Sequence, residues 1–406
     1  MAGAPPSSSV NNSSSSLSSS LAPKILLAKP NLTTSTDPSL SSSSLRSRLP
    51  STGSLNLLSD SWDLHADRVL PFLTENTDFT VIGVIGPPGV GKSTILNEIY
   101  GSDGSSSGML PPFMTQSEEI RAMAKHCSVG IELRVSSERL ILLDTQPIFS
   151  PSVLAELMRP DGSSTIALTN GETLSADLAH EMMGIQLGVF LASICHVLLV
   201  VSEGAHDINM WHLMLTVDLL KHGIPDPSSL TPSYSQTPNM GSEKEPKDNM
   251  QEAVIEYLAA PVFVHTKLWD EDLSPDKATW MRKRLSHYFS SSSFKGTKSE
   301  TTAEEQNDYV EPHVINADNL SSMGMNLVLL PHRNQDDSVT AQYESYVTLI
   351  EKLRDQVLSM NCRPFAKTVS EREWLKNSAR IWETVKNSAI IAEYCKTLQG
   401  SGMFRK

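Results

Sequence analysis

An α/β fold organised around a phosphate-binding loop is what this sequence predicts, and three observations predict it. Gly86-Pro87-Pro88-Gly89-Val90-Gly91-Lys92-Ser93 satisfies the pattern G-x-x-x-x-G-K-[ST] at every fixed position. The loop stands between an apolar run at 79–85, which reads as a buried strand, and Thr94-Ile95-Leu96-Asn97-Glu98-Ile99-Tyr100, which reads as the first turns of a helix. Further on, apolar runs of strand length alternate with segments of helical period, as expected of a mostly parallel sheet flanked by helices.

The loop comes first because its chemistry is the most demanding. A glycine-rich turn from strand to helix points successive backbone N–H groups inward, at the positive end of the helix, where they bond phosphate oxygens. Gly86, Pro87, Pro88, Gly89, Val90, Gly91 and Thr94 supply that backbone, Lys92 brings a point charge to the terminal phosphates, and the Ser93 hydroxyl is placed for a magnesium ion.

After a Gly/Ser/Pro loop at 101–112, the run 130–135 alternates in polarity and 140–144 is wholly apolar up to Asp144, so the pair reads as a hairpin added to the sheet. A helix over 176–195 leads into a buried strand at 196–202, and a second helix covers 208–221. Residues 223–252 are rich in Pro, Ser and Thr and read as a flexible insertion. The pattern resumes with a strand at 261–266 and a helix at 275–289. A second polar insertion (290–312), a strand at 326–330 and a helix at 341–360 follow. Ser370-Glu371-Arg372-Glu373 is a capping box that opens a last helix. The apolar stripe of that helix, Trp374, Ile381, Trp382, Val385, Ala389 and Ala392, reads as core packing, and a partner surface carrying the two tryptophans is the alternative. The expected organisation is a disordered Ser-rich tail (1–58), a helical segment (59–78), the nucleotide-binding domain with its two insertions (79–361) and a C-terminal helical extension (362–406).

Composition narrows the function classes. The net charge is -13, and the four basic residues of the tail, Lys24, Lys29, Arg46 and Arg48, leave the remainder more acidic still, which argues against binding nucleic acid through a basic face. Cys127, Cys195, Cys362 and Cys395 stand far apart, without metal or disulfide spacing, so a reducing compartment is expected. No uninterrupted apolar stretch is long enough to cross a membrane. A cytoplasmic or nuclear location follows as the expectation.

The order strand, phosphate loop, helix, hairpin ending in Asp, then alternating helices and strands resembles the Ras-like G domain over 79–360. That resemblance implies where its other motifs fall. Asp144-Thr145-Gln146-Pro147 takes the place of Asp-x-x-Gly, in which the Asp holds magnesium through water and the Gly offers its N–H to the last phosphate. Proline has no N–H. Ile148 stands where the family commonly has the Gln that orients attacking water, and Gln146 lies two positions early. Ser128-Val129-Gly130-Ile131 resembles the switch sequence Thr-x-Gly-Ile, so Ser128 is either a magnesium ligand or an ordinary loop serine. Thr266-Lys267-Leu268-Trp269 stands in place of Asn/Thr-Lys-x-Asp. Lys267 is then expected along the base and ribose, but Trp269 replaces the carboxylate that reads guanine. A guanine or an adenine nucleotide, with magnesium, is the implied ligand.

Longer motifs extend the resemblance. Leu143-Asp144-Thr145-Gln146-Pro147-Ile148 with Ser150-Pro151-Ser152, then 379–389 and Ala392-Glu393-Tyr394, closely resemble the SMG-nine family of nonsense-mediated mRNA decay factors, from Asp60 to the C-terminus. The family implies a regulatory subunit that pairs with SMG-eight and docks on a phosphatidylinositol-3-kinase-related SMG kinase, whose substrate is the UPF helicase. In that reading the chain is no enzyme. The alternative is an active GTPase or ATPase whose hydrolysis drives assembly.

Overall fold

The computed structural model describes residues 55–101, 111–159, 174–231, 256–294, 325–333, 344–360, 362–402 and 404. All belong to one compact unit, Ser51–Lys406. Most of the expected Ser-rich tail, most of the loop at 101–112, and residues 232–252 and 295–312 of the two insertions lie outside the described residues.

A seven-stranded sheet forms the centre, made of β1 (Asn56–Leu58), β2 (Thr80–Ile85), β3 (Ile131–Val135), β4 (Leu140–Thr145), β5 (Val197–Glu203), β6 (Ala260–Leu268) and β7 (Asn326–Pro331). Its spatial order is β1-β3-β4-β2-β5-β6-β7. The pairs β4–β2, β2–β5, β5–β6 and β6–β7 are parallel, whereas β3 runs antiparallel to β4 and β1 antiparallel to β3. From β3 to β7 this is the strand order of a Ras-like G domain, so the α/β prediction and its hairpin hold.

The central strands are apolar throughout because both faces are covered. Successive side chains alternate between faces. Val81 and Ile85 of β2 join a core with Leu198, Phe263 and α5 (Ala176–Ile194), while Ile82 and Val84 join Leu199, Val262 and α2 (Lys92–Tyr100) on the other side. The second face is completed by α8 (Tyr346–Ser359), and the first by α6 (Ile208–Leu220) and α9 (Glu371–Lys386), with Val69 of α1 (Ala66–Val69) and Met281 and Leu285 of α7 (Pro275–Tyr288) in the same core. Helix α8 starts at Tyr346, later than the expected 341.

Three regions differ from the sequence reading. Residues 56–58, assigned there to the disordered tail, form the edge strand β1, with Leu57 and Leu58 fully buried. The flank of the first insertion is packed: Asp226 accepts from Ser228 N (2.8 Å), and Asn377 Nδ2 donates to Pro227 O (2.7 Å). Phe294, in the second, is likewise buried. Finally, the single C-terminal helix is two helices, α9 and α10 (Ala389–Gly400), broken at Asn387, with Ser388 capping the second through its bond from Ile391 N. The capping box of α9 is present as expected.

The partner-surface alternative for the two tryptophans is contradicted. Trp374 and Trp382 are fully buried, and their indole N–H groups donate to Ile194 O (2.9 Å) and Trp62 O (3.2 Å). Trp382 meets Phe190 and Trp62 edge to face, and Trp62 Nε1 in turn donates to Gln186 Oε1 (3.0 Å). A large aromatic with a satisfied polar handle is a core residue, and truncation of either to Ala is expected to cost about 3–5 kcal/mol of stability. Helix α9 is also pinned by its first residue: the buried Glu371 carboxylate accepts from Thr74 N (2.7 Å) and from Arg139 Nε (2.6 Å) and Nη2, Arg139 standing in the β3–β4 turn.

Candidate nucleotide-binding site

The loop between β2 and α2 has the geometry its glycines permit. Gly89 and Gly91 take φ of +75° and +96°, where a side chain is strained. A Cβ on Gly86 would run into Val201 O of the neighbouring strand. Lys92, at the start of α2, turns back over the loop, its Nζ donating to Gly86 O and Pro87 O, both at 2.9 Å. Burial lowers its pKa to about 8, although the Asp144 charge nearby raises it.

Ser93, Asp144 and Ser128 converge from three elements. Asp144 Oδ2, at the end of β4, accepts from Ser93 Oγ and from Ser128 Oγ, each at 2.7 Å, and the two hydroxyls lie 3.4 Å apart. The carboxyl is fully buried, and burial pushes its pKa up against the opposing pull of Ser93, Lys92 and Ser128. Its second oxygen, Oδ1, is buried with no hydrogen-bond partner among the described residues. An orphaned carboxylate oxygen beside two hydroxyls is an all-oxygen donor set that fits magnesium, a hard cation. Sequence reasoning left Ser128 open between ligand and loop serine; the fold brings it to the same carboxylate as Ser93.

The residues after Asp144 turn away from the chemistry. Gln146 Oε1 accepts from Gly130 N (3.0 Å) and its own N–H reaches Gly130 O (2.9 Å), so the side chain splices β3 to β4 and does not face the loop. Gly130 has φ of +57°, and a Cβ there would strike Leu58 O of β1. Ile148 is buried in the core, with its N–H on Gly86 O (3.2 Å). Pro147 alone of this segment lines the cavity at the loop.

That cavity holds about 110 Å³, room for phosphate groups and less than the ~300–1,000 Å³ of a site that encloses a whole ligand. One wall is the phosphate loop with Lys92, Ser93 and Thr94; the opposite wall is a segment the motifs did not single out, with Gln116, Arg121, His126 and Cys127. The only hint in the sequence was its place just ahead of Ser128. Gln116 Nε2 donates to Lys125 O (2.7 Å), closing this segment around the short helix α3 (Glu118–Ala122). His126 Nδ1 bonds Ser152 Oγ (2.8 Å) on α4 (Pro151–Leu157), and its Nε2 lies 3.7 Å from Glu156. Burial lowers the His126 pKa, opposed by Glu156 and helped by Lys92. A larger apolar cavity of about 360 Å³, between β7 and α8, includes none of these residues.

The base end is built differently. Thr266 Oγ1 donates to Val90 O (3.0 Å) and Ser202 O (3.2 Å), tying β6 to the phosphate loop. Lys267, with φ of +55°, pairs its ammonium with Glu203 (2.7 Å). Neither lines the phosphate cavity. Trp269 is 70% exposed, its ring stacked on His332 at 6.0 Å and 25°.

No family model matches the chain. Among curated proteins, the chain is 30% identical over 359 residues to the nonsense-mediated mRNA decay factor SMG9 of Xenopus laevis, which covers 82% of this chain and 64% of that protein. It is 29% identical over 154 residues to SMG9 of Caenorhabditis elegans, 38% of this chain and 37% of that one. The chain thus spans less than two thirds of the curated relatives it matches, and the relatives bear the family name that the motifs pointed to. A solved septin GTPase domain from Chlamydomonas reinhardtii matches 79% of this chain and 98% of its own at 11% identity, with a TM-score of 0.29, too low to add to the strand order.

Proposed function

Taking the similarity to the SMG9 decay factors as premise, we propose that the chain is a regulatory, nucleotide-binding subunit of the kinase complex of nonsense-mediated mRNA decay. In this reading it pairs with SMG-eight on a phosphatidylinositol-3-kinase-related SMG kinase and modulates phosphorylation of the UPF helicase. One observation carries the nucleotide part: Ser93 and Ser128 meet on the Asp144 carboxylate, whose other oxygen is orphaned, beside the loop that Lys92 folds over, whereas Pro147 lacks the backbone N–H that would meet a third phosphate and Ile148 cannot orient water. A chain that holds a nucleotide without turning it over uses it as a structural ligand.

In that role Lys92 and the loop N–H groups hold the phosphates and Thr266 fixes the loop to β6. Ser93, Ser128 and Asp144 would hold a magnesium ion, which would neutralise phosphate charge. Among the described residues no helix is long and apolar enough to cross a membrane, so the reading needs no bilayer. The intact magnesium-side residues are what favours the alternative, an active GTPase or ATPase whose hydrolysis drives assembly. Mass spectrometry of nucleotide released from purified protein, with single-turnover hydrolysis by wild type and Lys92→Ala, separates the two. Bound nucleotide recovered unhydrolysed supports the subunit reading, and Lys92-dependent turnover near 1 per second contradicts it. Co-purification with SMG-eight and the kinase tests the assembly part.

A further inference from the structure

The donors facing the phosphate cavity do not add up to a G domain's set. Pro147 removes the backbone N–H for the terminal phosphate, and two loop carbonyls share the Lys92 ammonium with any phosphate it holds. Across the cavity stands Arg121. Its guanidinium forms no hydrogen bond or ion pair among the described residues, while the neighbouring basic wall residue, His126, is held by Ser152 and Glu156.

The segment that carries Arg121 is braced over the loop. Ser117 caps α3 by accepting from Ile120 N, Gln116 bonds Lys125 O, and His126 anchors the far end to α4. An arginine held this way presents up to five N–H donors in a planar fork that matches phosphate oxygens.

We infer that Arg121 is the terminal-phosphate contact of this chain, standing in from the opposite wall for the backbone donor lost at Pro147. It would make the site prefer a nucleoside triphosphate over a diphosphate through a side chain, where a G domain uses backbone. The inference rests on the proposed nucleotide site.

The test is calorimetric titration of the full chain, with magnesium, using ADP and a non-hydrolysable ATP analogue and their guanine counterparts. Wild type, Arg121→Ala, Arg121→Lys and Lys92→Ala are compared, with melting temperatures recorded for each. Arg121 is exposed, so its variants should melt with the wild type. The expected result is that Arg121→Ala weakens the triphosphate analogue by about tenfold to a hundredfold, the range for a charge-assisted contact, and the diphosphate by less than about twofold. Arg121→Lys recovers part of the loss. Equal effects on both ligands, or none, with Lys92→Ala still impaired, overturn the inference and spare the nucleotide site. Unimpaired binding by Lys92→Ala overturns both.

Discussion

The two ends of the proposed nucleotide site depart from the G-domain pattern to different degrees. At the phosphate end stand glycines at positive φ, Gly89 and Gly91, a buried lysine, and two hydroxyls on one carboxylate. At the base end the recognition carboxylate is gone, Lys267 is paired with Glu203, and an exposed tryptophan stacks on His332. Yet the ends are tied together, because Thr266 still donates to Val90 O. Phosphate binding draws on backbone geometry that the fold itself requires, since a residue larger than Gly at 86 collides with β5. Base reading depends on single side chains that the fold tolerates losing.

That contrast can be broken at either end. The largest effect is expected from Lys92→Ala, which should weaken nucleotide by roughly 1.5–3 kcal/mol, the loss of a charge-assisted contact; calorimetry gives the number, and an unchanged affinity would show that the loop binds nothing. Next comes Asp144→Asn. It keeps the shape but removes the charge beside the orphaned oxygen, and should abolish most of the magnesium dependence of binding while affinity without the metal changes by less than about 1 kcal/mol. Binding curves with and without chelator test it. The smallest effect is expected at Lys267→Ala, within about 0.5 kcal/mol for nucleotide, because an exposed Lys–Glu pair contributes little. A loss as large as that of Lys92→Ala would mean that the base end still grips its ligand.

How much of this was legible in the sequence follows the range of the interactions. The phosphate loop was legible because its residues are consecutive, and the strands because both their faces are buried. The capping box of α9 was read from four residues. Strand β1 was not, since three residues carry no period and gain their structure from pairing with β3 and with the segment at Leu64 and His65. The break at Asn387 was hidden because the apolar stripe continues across it. The burial of Trp374 and Trp382 depends on Ile194, Phe190 and Trp62, far away in the chain. In the same way the convergence of Ser128 on Asp144 could be suspected from a short motif, but the wall bearing Arg121 and His126 could not, because it exists only once α3 folds over the loop.

We propose that this site holds phosphates without reading the base. The most direct test is to titrate the purified chain with GTP and ATP analogues in the same magnesium buffer and compare the two dissociation constants. Values within about tenfold of each other are expected, since Trp269 stands where the guanine-reading carboxylate of the resembling motif would be. A guanine preference of about a thousandfold or more, in the range that such hydrogen-bonded discrimination reaches, would contradict it.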